Sequence, residues 1–198
     1  MKKLEAIFLD RDGVLNEDSD DYIRSVEGVN VYPFVSKALK KLTDMGLKIF
    51  ITSNQSAISR GYFTEETNRK IFKKIMIDSE KDNGKITDYY YCPHLPTDNC
   101  NCRKPKPGMF LQAAKEYKFD IKNSVYVGDS VCDWESAKNL RIPFYLVETG
   151  YGIETAETIR KEKNIEIETW KNLRTVVEDI KRFTQRLQRN AENAKKKI

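Results

Sequence analysis

The sequence predicts an α/β fold: a mostly parallel sheet with helices on both faces. Three observations predict it. Short apolar runs alternate with amphipathic stretches along most of the 198 residues. The strand-like runs are apolar throughout more than alternating, as in strands buried on both faces. The first helix-like stretch begins with Pro33 and stops at Gly46, the expected punctuation of a helix. No internal repeat and no low-complexity linker interrupts the pattern. The reading is a single domain over 1–198, with hydrophobic residues at 39%, enough for one core.

The elements follow in order. "EAIFLD" (5–10) is a short apolar run ending in an acid, a buried strand. "PFVSKALKKLTDMG" (33–46) has apolar residues at helical spacing. "LKIFITSN" is the second strand. Residues 64–82 read as a helix stopped near Gly84. "ITDYYYCPH" is an aromatic strand and "GMFLQAAKEYKF" a helix. "SVYVGD" is a strand, "DWESAKNL" a short helix and "PFYLVET" another strand. "TAETIRKEKN" is helical and "IEIETW" is a candidate edge strand. From Trp170 a long amphipathic helix runs on, polar after Leu187.

Charge is unevenly placed. The net charge is +5, yet residues 181–198 alone carry seven basic residues against Glu192, a surplus of six. The basic character therefore belongs to a helical tail over about 171–198. That tail holds a single aromatic, Phe183, among its charges, so a solvated helix end is favoured over a nucleic-acid surface. No apolar run approaches a membrane span. The basic start "MKKLEAIFLD" has too short an apolar run for a signal peptide. The expectation is a cytoplasmic monomer that binds neither nucleic acid nor membrane. Reduced thiols then favour metal binding over disulfides.

In open parallel sheets the site lies beyond the carboxyl ends of the strands. The first strand ends in Asp10, Arg11, Asp12 and Gly13. The second ends in Thr52, Ser53, Asn54, Gln55 and Ser56. Arg103 and Lys104 open "RKPKPG", and a later strand ends in Gly128 and Asp129, with Asp133 close behind. Crowded carboxylates repel unless a cation sits among them, and hard oxygen ligands select Mg²⁺. Aspartate can attack phosphorus, and a second carboxyl two residues on can protonate the leaving oxygen and then activate water. Lys104, Ser53 and the cation would hold the phosphoryl oxygens. The bland alternative is that these acids only cap helices and turns. Three acids at strand ends argue against it, while Asp133 stands open between a cap and a partner of the metal.

"CPHLPTDNCNC" is a second constellation. It holds Cys92, His94, Cys100 and Cys102, three of the four cysteines and the only histidine, within eleven residues. That is a Cys₃His set of Zn²⁺ type, favoured over a chance cluster of buried thiols. Cys132 stands apart and reads as a small buried residue.

"FLDRDGVLN", "ITSNQS", "RKPKPGM" and "VGDSVCD" resemble, in order, the four motifs of the haloacid dehalogenase-like phosphatases, over about residues 5–155. The resemblance implies a Rossmann-like fold, here with a small zinc loop (92–102) and no large cap domain. It implies Asp10 as nucleophile and Asp12 as general acid and base. It gives Ser53 and Lys104 to the phosphate, and Mg²⁺ to Asp10, the Asp12 carbonyl and Asp129. The cysteine loop ahead of "RKP" is similar to that of the heptose-bisphosphate and histidinol-phosphate phosphatases. In those relatives the Zn²⁺ is structural, fixing where Arg103 and Lys104 point.

"SNQSAISRG" resembles the heptose branch's "TNQSGIARG", with Ser53 for Thr and Ala57 for Gly, and carries Asn54, Gln55, Ser56 and Arg60 into the substrate site. "NEDSDDYI" resembles the branch's substrate loop, making Asp18, Asp21 and Tyr22 candidate sugar contacts. The resemblance implies a phosphorylated small-molecule substrate, first a heptose 1,7-bisphosphate for lipopolysaccharide precursors. The alternative is histidinol phosphate, whose amine would want the acids of "EDSDD". A zinc-stapled binding module without turnover is a different class, and the intact Asp10 and Asp12 pair speaks against it.

Overall fold

The computed structural model describes residues 3–195. Six parallel strands form one sheet: β1 (Ala6–Leu9), β2 (Lys48–Asn54), β3 (Asp88–Cys92), β4 (Ser124–Gly128), β5 (Phe144–Val147) and β6 (Thr169–Trp170). The helices are α1 (Val35–Asp44), α2 (Glu65–Ser79), α3 (Gly108–Glu116), α4 (Val131–Leu140), α5 (Gly152–Lys163) and α6 (Leu173–Lys195). Every pairing between these six strands is parallel, so the mostly parallel expectation sharpens to a wholly parallel sheet.

Strand order is β3-β2-β1-β4-β5-β6. The chain therefore builds outward from β1 to one edge, then returns to β4 beside β1 and builds the other way. The switch between β1 and β4 leaves a crevice at their carboxyl ends, where open α/β sheets bind ligands. Register aligns Leu9 with Val127 and with Ile51, which brings the residues after β1, β4 and β2 to one level.

Successive strand residues face opposite sides of the sheet. Ile7, Leu9, Ile49, Ile51, Val125 and Val127 pack with α1, α2 and α6. Ala6, Phe8, Phe50 and Tyr126 pack with α3 and α4. Two apolar faces on each strand are why the runs are continuous in sequence. Phe8, Phe50 and Phe119 stack with centroids 5.3–6.2 Å apart, which fills the second face.

Boundaries move by local chemistry. Pro33 and Phe34 precede α1 rather than opening it. Thr64 caps α2, its hydroxyl accepting from the Thr67 amide at 3.2 Å, and the helix ends at Ser79, short of Asp82. The edge strand over "IEIETW" shrinks to Thr169 and Trp170. The backbone of α6 continues to Lys195, while Lys196 and Lys197 of the basic tail lie outside the described residues. Among the described residues no large domain is inserted between strands, and no helix is long and apolar enough to cross a membrane.

Candidate active site

The β1–β4 crevice is lined by acids that their strands deliver. Asp10 follows β1 directly, and its Oδ1 accepts from the Arg11 amide at 2.7 Å. Asp129 follows β4, and its Oδ2 accepts from the Tyr151 amide at 2.9 Å. Asp133 sits in the first turn of α4. One oxygen each of Asp10, Asp129 and Asp133 lies within 4.8 Å of the others, and all three residues are buried.

Lys104 meets this cluster from below. The residue is 3% exposed, and its ammonium lies 2.9 Å from Asp10 Oδ1 and 2.7 Å from Asp133 Oδ1. It also donates to the Thr52 carbonyl at 3.2 Å and the Tyr126 hydroxyl at 3.0 Å. Burial opposes its charge, but Asp10 and Asp133 override that and hold Lys104 well above its ordinary range. Three carboxylates against one ammonium leave a surplus of two negative charges.

That surplus shows in the acids. Burial, then Asp133, pushes Asp10 well up despite Lys104. Burial, then Asp133, pushes Asp129 up to about 8. A divalent cation at these hard oxygens would relieve both, so the donor set fits Mg²⁺.

Asp133 behaves differently. Lys104 and the hydrogen bonds to it outweigh burial and hold Asp133 low. Its Oδ1 accepts from Tyr126 at 2.6 Å. Its Oδ2 accepts from the Ser130 hydroxyl at 2.7 Å and from the Ser130 and Asp129 amides at 3.1 and 3.3 Å. It is the capping-box acid of α4, as the first of the two readings has it, and it also anchors Lys104. Gly128 makes room for it, since a Cβ there would stand 2.5 Å from Asp133 Cβ. Asp133 thus takes the third place in the carboxylate cluster, while the Asp12 carboxylate turns elsewhere.

The Asp12 carboxylate receives Arg11 Nε at 2.9 Å and Nη2 at 2.7 Å, Asn16 Nδ2 at 2.8 Å and Gln55 Nε2 at 3.1 Å. Arg11 is fully buried over the Phe72 ring, 5.3 Å from its centroid. Gln55 also donates to Ser53 Oγ at 2.8 Å, linking the ends of β1 and β2. Asn54 pairs reciprocally with the Lys104 backbone, at 3.0 and 3.2 Å, and so fixes the lysine across fifty residues.

The structure thus brings together Asp10, Asp12, Ser53, Asn54, Gln55, Lys104 and Asp129. Ser56 is buried in the turn after β2. Arg60 is exposed on that turn, and Arg103 is tied to the His94 carbonyl at 3.2 Å. Asp18 lies on the surface loop beside the site, where partial desolvation, then Asp12, raise its carboxyl. Asp21 is spent on Arg24, and the Tyr22 ring lies 5.4 Å from that of Tyr62. Arg11 and Asn16, which hold Asp12, and Tyr126, which meets Lys104, play parts that no motif announces in the sequence. Strand parity offers a signal for Tyr126: it shares its face with Phe8, its register partner, and with α3 and α4.

In the cysteine loop the four ligand atoms also lie within 4.8 Å of one another. Cys102 Sγ stands 3.2 Å from Cys92 Sγ, 3.5 Å from Cys100 Sγ and 3.3 Å from His94 Nδ1. A tetrahedral Zn²⁺ with about 2.3 Å bonds would space sulfurs about 3.8 Å apart, so one ion fits. All four cysteines are unpaired, and Cys132, whose thiol burial pushes up to about 12, lies away against Ser130.

Comparison with known proteins gives this geometry a context. The model of the haloacid dehalogenase-like hydrolases matches residues 7–141. A Thermoplasma volcanium protein named a probable D-glycero-D-manno-heptose-1,7-bisphosphate 7-phosphatase is 42% identical over 146 residues, 73% of this chain and 99% of its own. A Pseudomonas aeruginosa D-glycero-β-D-manno-heptose-1,7-bisphosphate 7-phosphatase is 38% identical, over 75% of this chain and 84% of its own. The crystal structure of the D,D-heptose 1,7-bisphosphate phosphatase of B. bronchiseptica, in complex with magnesium and phosphate, superposes with a TM-score of 0.82. It is 32% identical, over 90% of this chain and 98% of that one. The strand-end acids, the lysine beneath them and these likenesses agree: the chain belongs to the haloacid dehalogenase-like hydrolases.

Proposed function

We propose that the chain is a Mg²⁺-dependent phosphatase acting on the C7 phosphate of D-glycero-D-manno-heptose 1,7-bisphosphate. The chemistry rests on one observation, the buried cluster of Asp10, Asp129, Asp133 and Lys104 at the β1–β4 switch. The substrate rests on the names of the relatives at 38% and 42% identity. The reading places it in the cytoplasm as a monomer, supplying lipopolysaccharide precursors.

In this reading an Asp10 oxygen attacks phosphorus, the bond to the sugar oxygen breaks, and an aspartyl phosphate forms. Asp12 gives its proton to the departing sugar oxygen. Asp12 then takes a proton from water, whose oxygen displaces Asp10 and releases inorganic phosphate. Mg²⁺, held by Asp10, Asp129 and the Asp12 carbonyl, would neutralise phosphoryl charge. Lys104 and Ser53 hold the equatorial oxygens, with Asn54, Gln55 and Ser56 shaping the turn around them. Arg60 and Arg103 are the cations for the second phosphate. The Cys92, His94, Cys100 and Cys102 set holds a structural Zn²⁺ with no open position.

Histidinol phosphate is the weaker substrate. Its amine would draw on the loop acids, and there Asp20 accepts from Tyr151 and Asp21 pairs with Arg24, which leaves Asp18 beside the site, while the relatives' names point to the sugar. The test is kcat/KM with Mg²⁺ for heptose bisphosphate and histidinol phosphate. The expected result favours the sugar by about 100-fold or more, the margin a site built for polar groups can reach. Equal rates, or preference for histidinol phosphate, would overturn the substrate assignment.

A further inference from the structure

The connection from β1 to α1, residues 10–34, is long and has no helix or named strand of its own. Connections of this length in compact domains are commonly functional. Its base is closed. Glu17 N donates to the Asn30 carbonyl at 2.9 Å, and Tyr32 N to the Leu15 carbonyl at 3.0 Å.

Its tip is held at two places far apart in sequence. The Tyr151 hydroxyl donates to Asp20 Oδ1 at 2.7 Å, across 131 positions. On the other side Tyr22 packs against Tyr62, and the Arg24 guanidinium lies 4.5 Å from the Tyr62 ring centroid. Tyr62 comes from the turn after β2, and Tyr151 from the loop after β5. In the sheet those two strands flank β1 and β4. The tip therefore spans the carboxyl ends of the strands that deliver Asp10 and Asp129. Tyr22 holds a φ of 58°, a left-handed backbone that an aromatic residue adopts at a cost. The contacts around it sustain that conformation.

Tyr151 has a double attachment. Its amide donates to Asp129 at 2.9 Å while its hydroxyl donates to Asp20. The preceding loop is pinned as well, with Thr149 Oγ1 donating to the Gly13 carbonyl at 2.5 Å. A Cβ on Gly150 would stand 2.0 Å from Asp129 Oδ2, so this backbone presses directly on the acid. The tip is thus fastened to the loop that holds Asp129.

From this geometry we infer that Tyr151 is a positioning residue: through Asp20 it holds residues 17–24 as a strap across the site mouth. The strap contributes to binding a large leaving group, here a phosphorylated sugar, and nothing to a small one. The size preference rests on the substrate reading given above; the strap itself does not.

The experiment compares wild type, Tyr151→Phe, Asp20→Ala and Asp20→Asn, each with Mg²⁺. Tyr151→Phe keeps the amide bond to Asp129 and removes only the hydroxyl. KM for the heptose bisphosphate should rise about three- to tenfold in Tyr151→Phe and Asp20→Ala, the worth of one hydrogen bond. For p-nitrophenyl phosphate, kcat/KM should stay within about twofold. Asp20→Asn, which keeps an acceptor, should restore most of the binding. The double variant should be no worse than either single one, since both delete the same bond. Amide hydrogen exchange over 17–24 should quicken in Tyr151→Phe while that over 53–63 does not. Unchanged exchange over 17–24, or an equal loss on both esters, would overturn the strap. If wild type ignores the heptose bisphosphate, the substrate reading fails alone, and exchange still decides the strap.

Discussion

Two groups of ligand atoms, each within 4.8 Å of one another, sit in this fold, and they are built in opposite ways. Cys92, His94, Cys100 and Cys102 come from one loop of eleven residues. Asp10, Asp129 and Asp133 come from two strand ends and a helix start, and meet only because β1 pairs with β4. The first set is soft and, with Zn²⁺ bound as proposed, complete: four protein ligands would fill a tetrahedron and leave nothing for substrate. The second is hard and unfinished, with two carboxylates pushed upward by burial and a surplus of negative charge. A closed site supports structure, and an open one can do chemistry. The two meet at Lys104, two residues past the last cysteine, whose ammonium lies among the acids.

The sharpest way to break this comparison is Asp10→Asn. It removes the proposed nucleophile and keeps side-chain volume. Turnover should fall by about a thousandfold or more, as for other covalent nucleophiles. Bound zinc, measured by elemental analysis, should not change. Retained turnover would show that Asp10 is not the attacking group.

The two clusters also differ in how much of each the sequence discloses. The cysteine set is local, so spacing alone names all four candidate ligands. The acid set is tertiary: Asp10, Asp129 and Lys104 are legible because a parallel sheet sends strand ends to one side. Asp133 is harder. As the third residue of α4 it reads equally as a cap, and only the position of Lys104 shows that one carboxylate does both jobs. Arg11 between two acids gives no hint of being buried until Phe72 is seen beneath it. Tyr151 depends on a contact across 131 positions, and nothing in its neighbours' identity announces that. Helix boundaries slipped for a similar reason. Propensity marks where a helix can run, but Thr64 and Ser130 decide where it starts through their own hydrogen bonds.

Removing the proposed zinc staple should act on the fold before the chemistry. Cys92 is fully buried at the end of β3, so Cys92→Ser would lose a ligand and bury a hydroxyl. Thermal denaturation with zinc analysis should show loss of metal and of stability, on the order of 4 kcal/mol. Activity should fall with the folded fraction, and chelator treatment of the wild type should reproduce the effect. A variant without zinc that keeps its melting temperature would deny the cluster a structural role.

The smallest expected effect tests the support beneath the open site. Lys104 has three N–H groups and four oxygen neighbours: Asp133 at 2.7 Å, Asp10 at 2.9 Å, Tyr126 at 3.0 Å and Thr52 at 3.2 Å. Tyr126→Phe deletes one acceptor from this crowded shell and one donor to Asp133. Lys104 still has an acceptor for each proton, and Asp133 Oδ1 still has Lys104. The phenyl ring stays packed between Phe110 and Phe144, with centroids at 4.9 and 5.8 Å. The cost should therefore be about 1 kcal/mol in stability, that of one buried hydrogen bond. Initial rates should show kcat down only a few-fold, with KM and zinc content unchanged. A loss beyond about a hundredfold at an unchanged melting temperature would sink this account. It would mean that the acids alone do not hold the ammonium in place and that the Tyr126 hydroxyl sets where Lys104 meets the phosphoryl group.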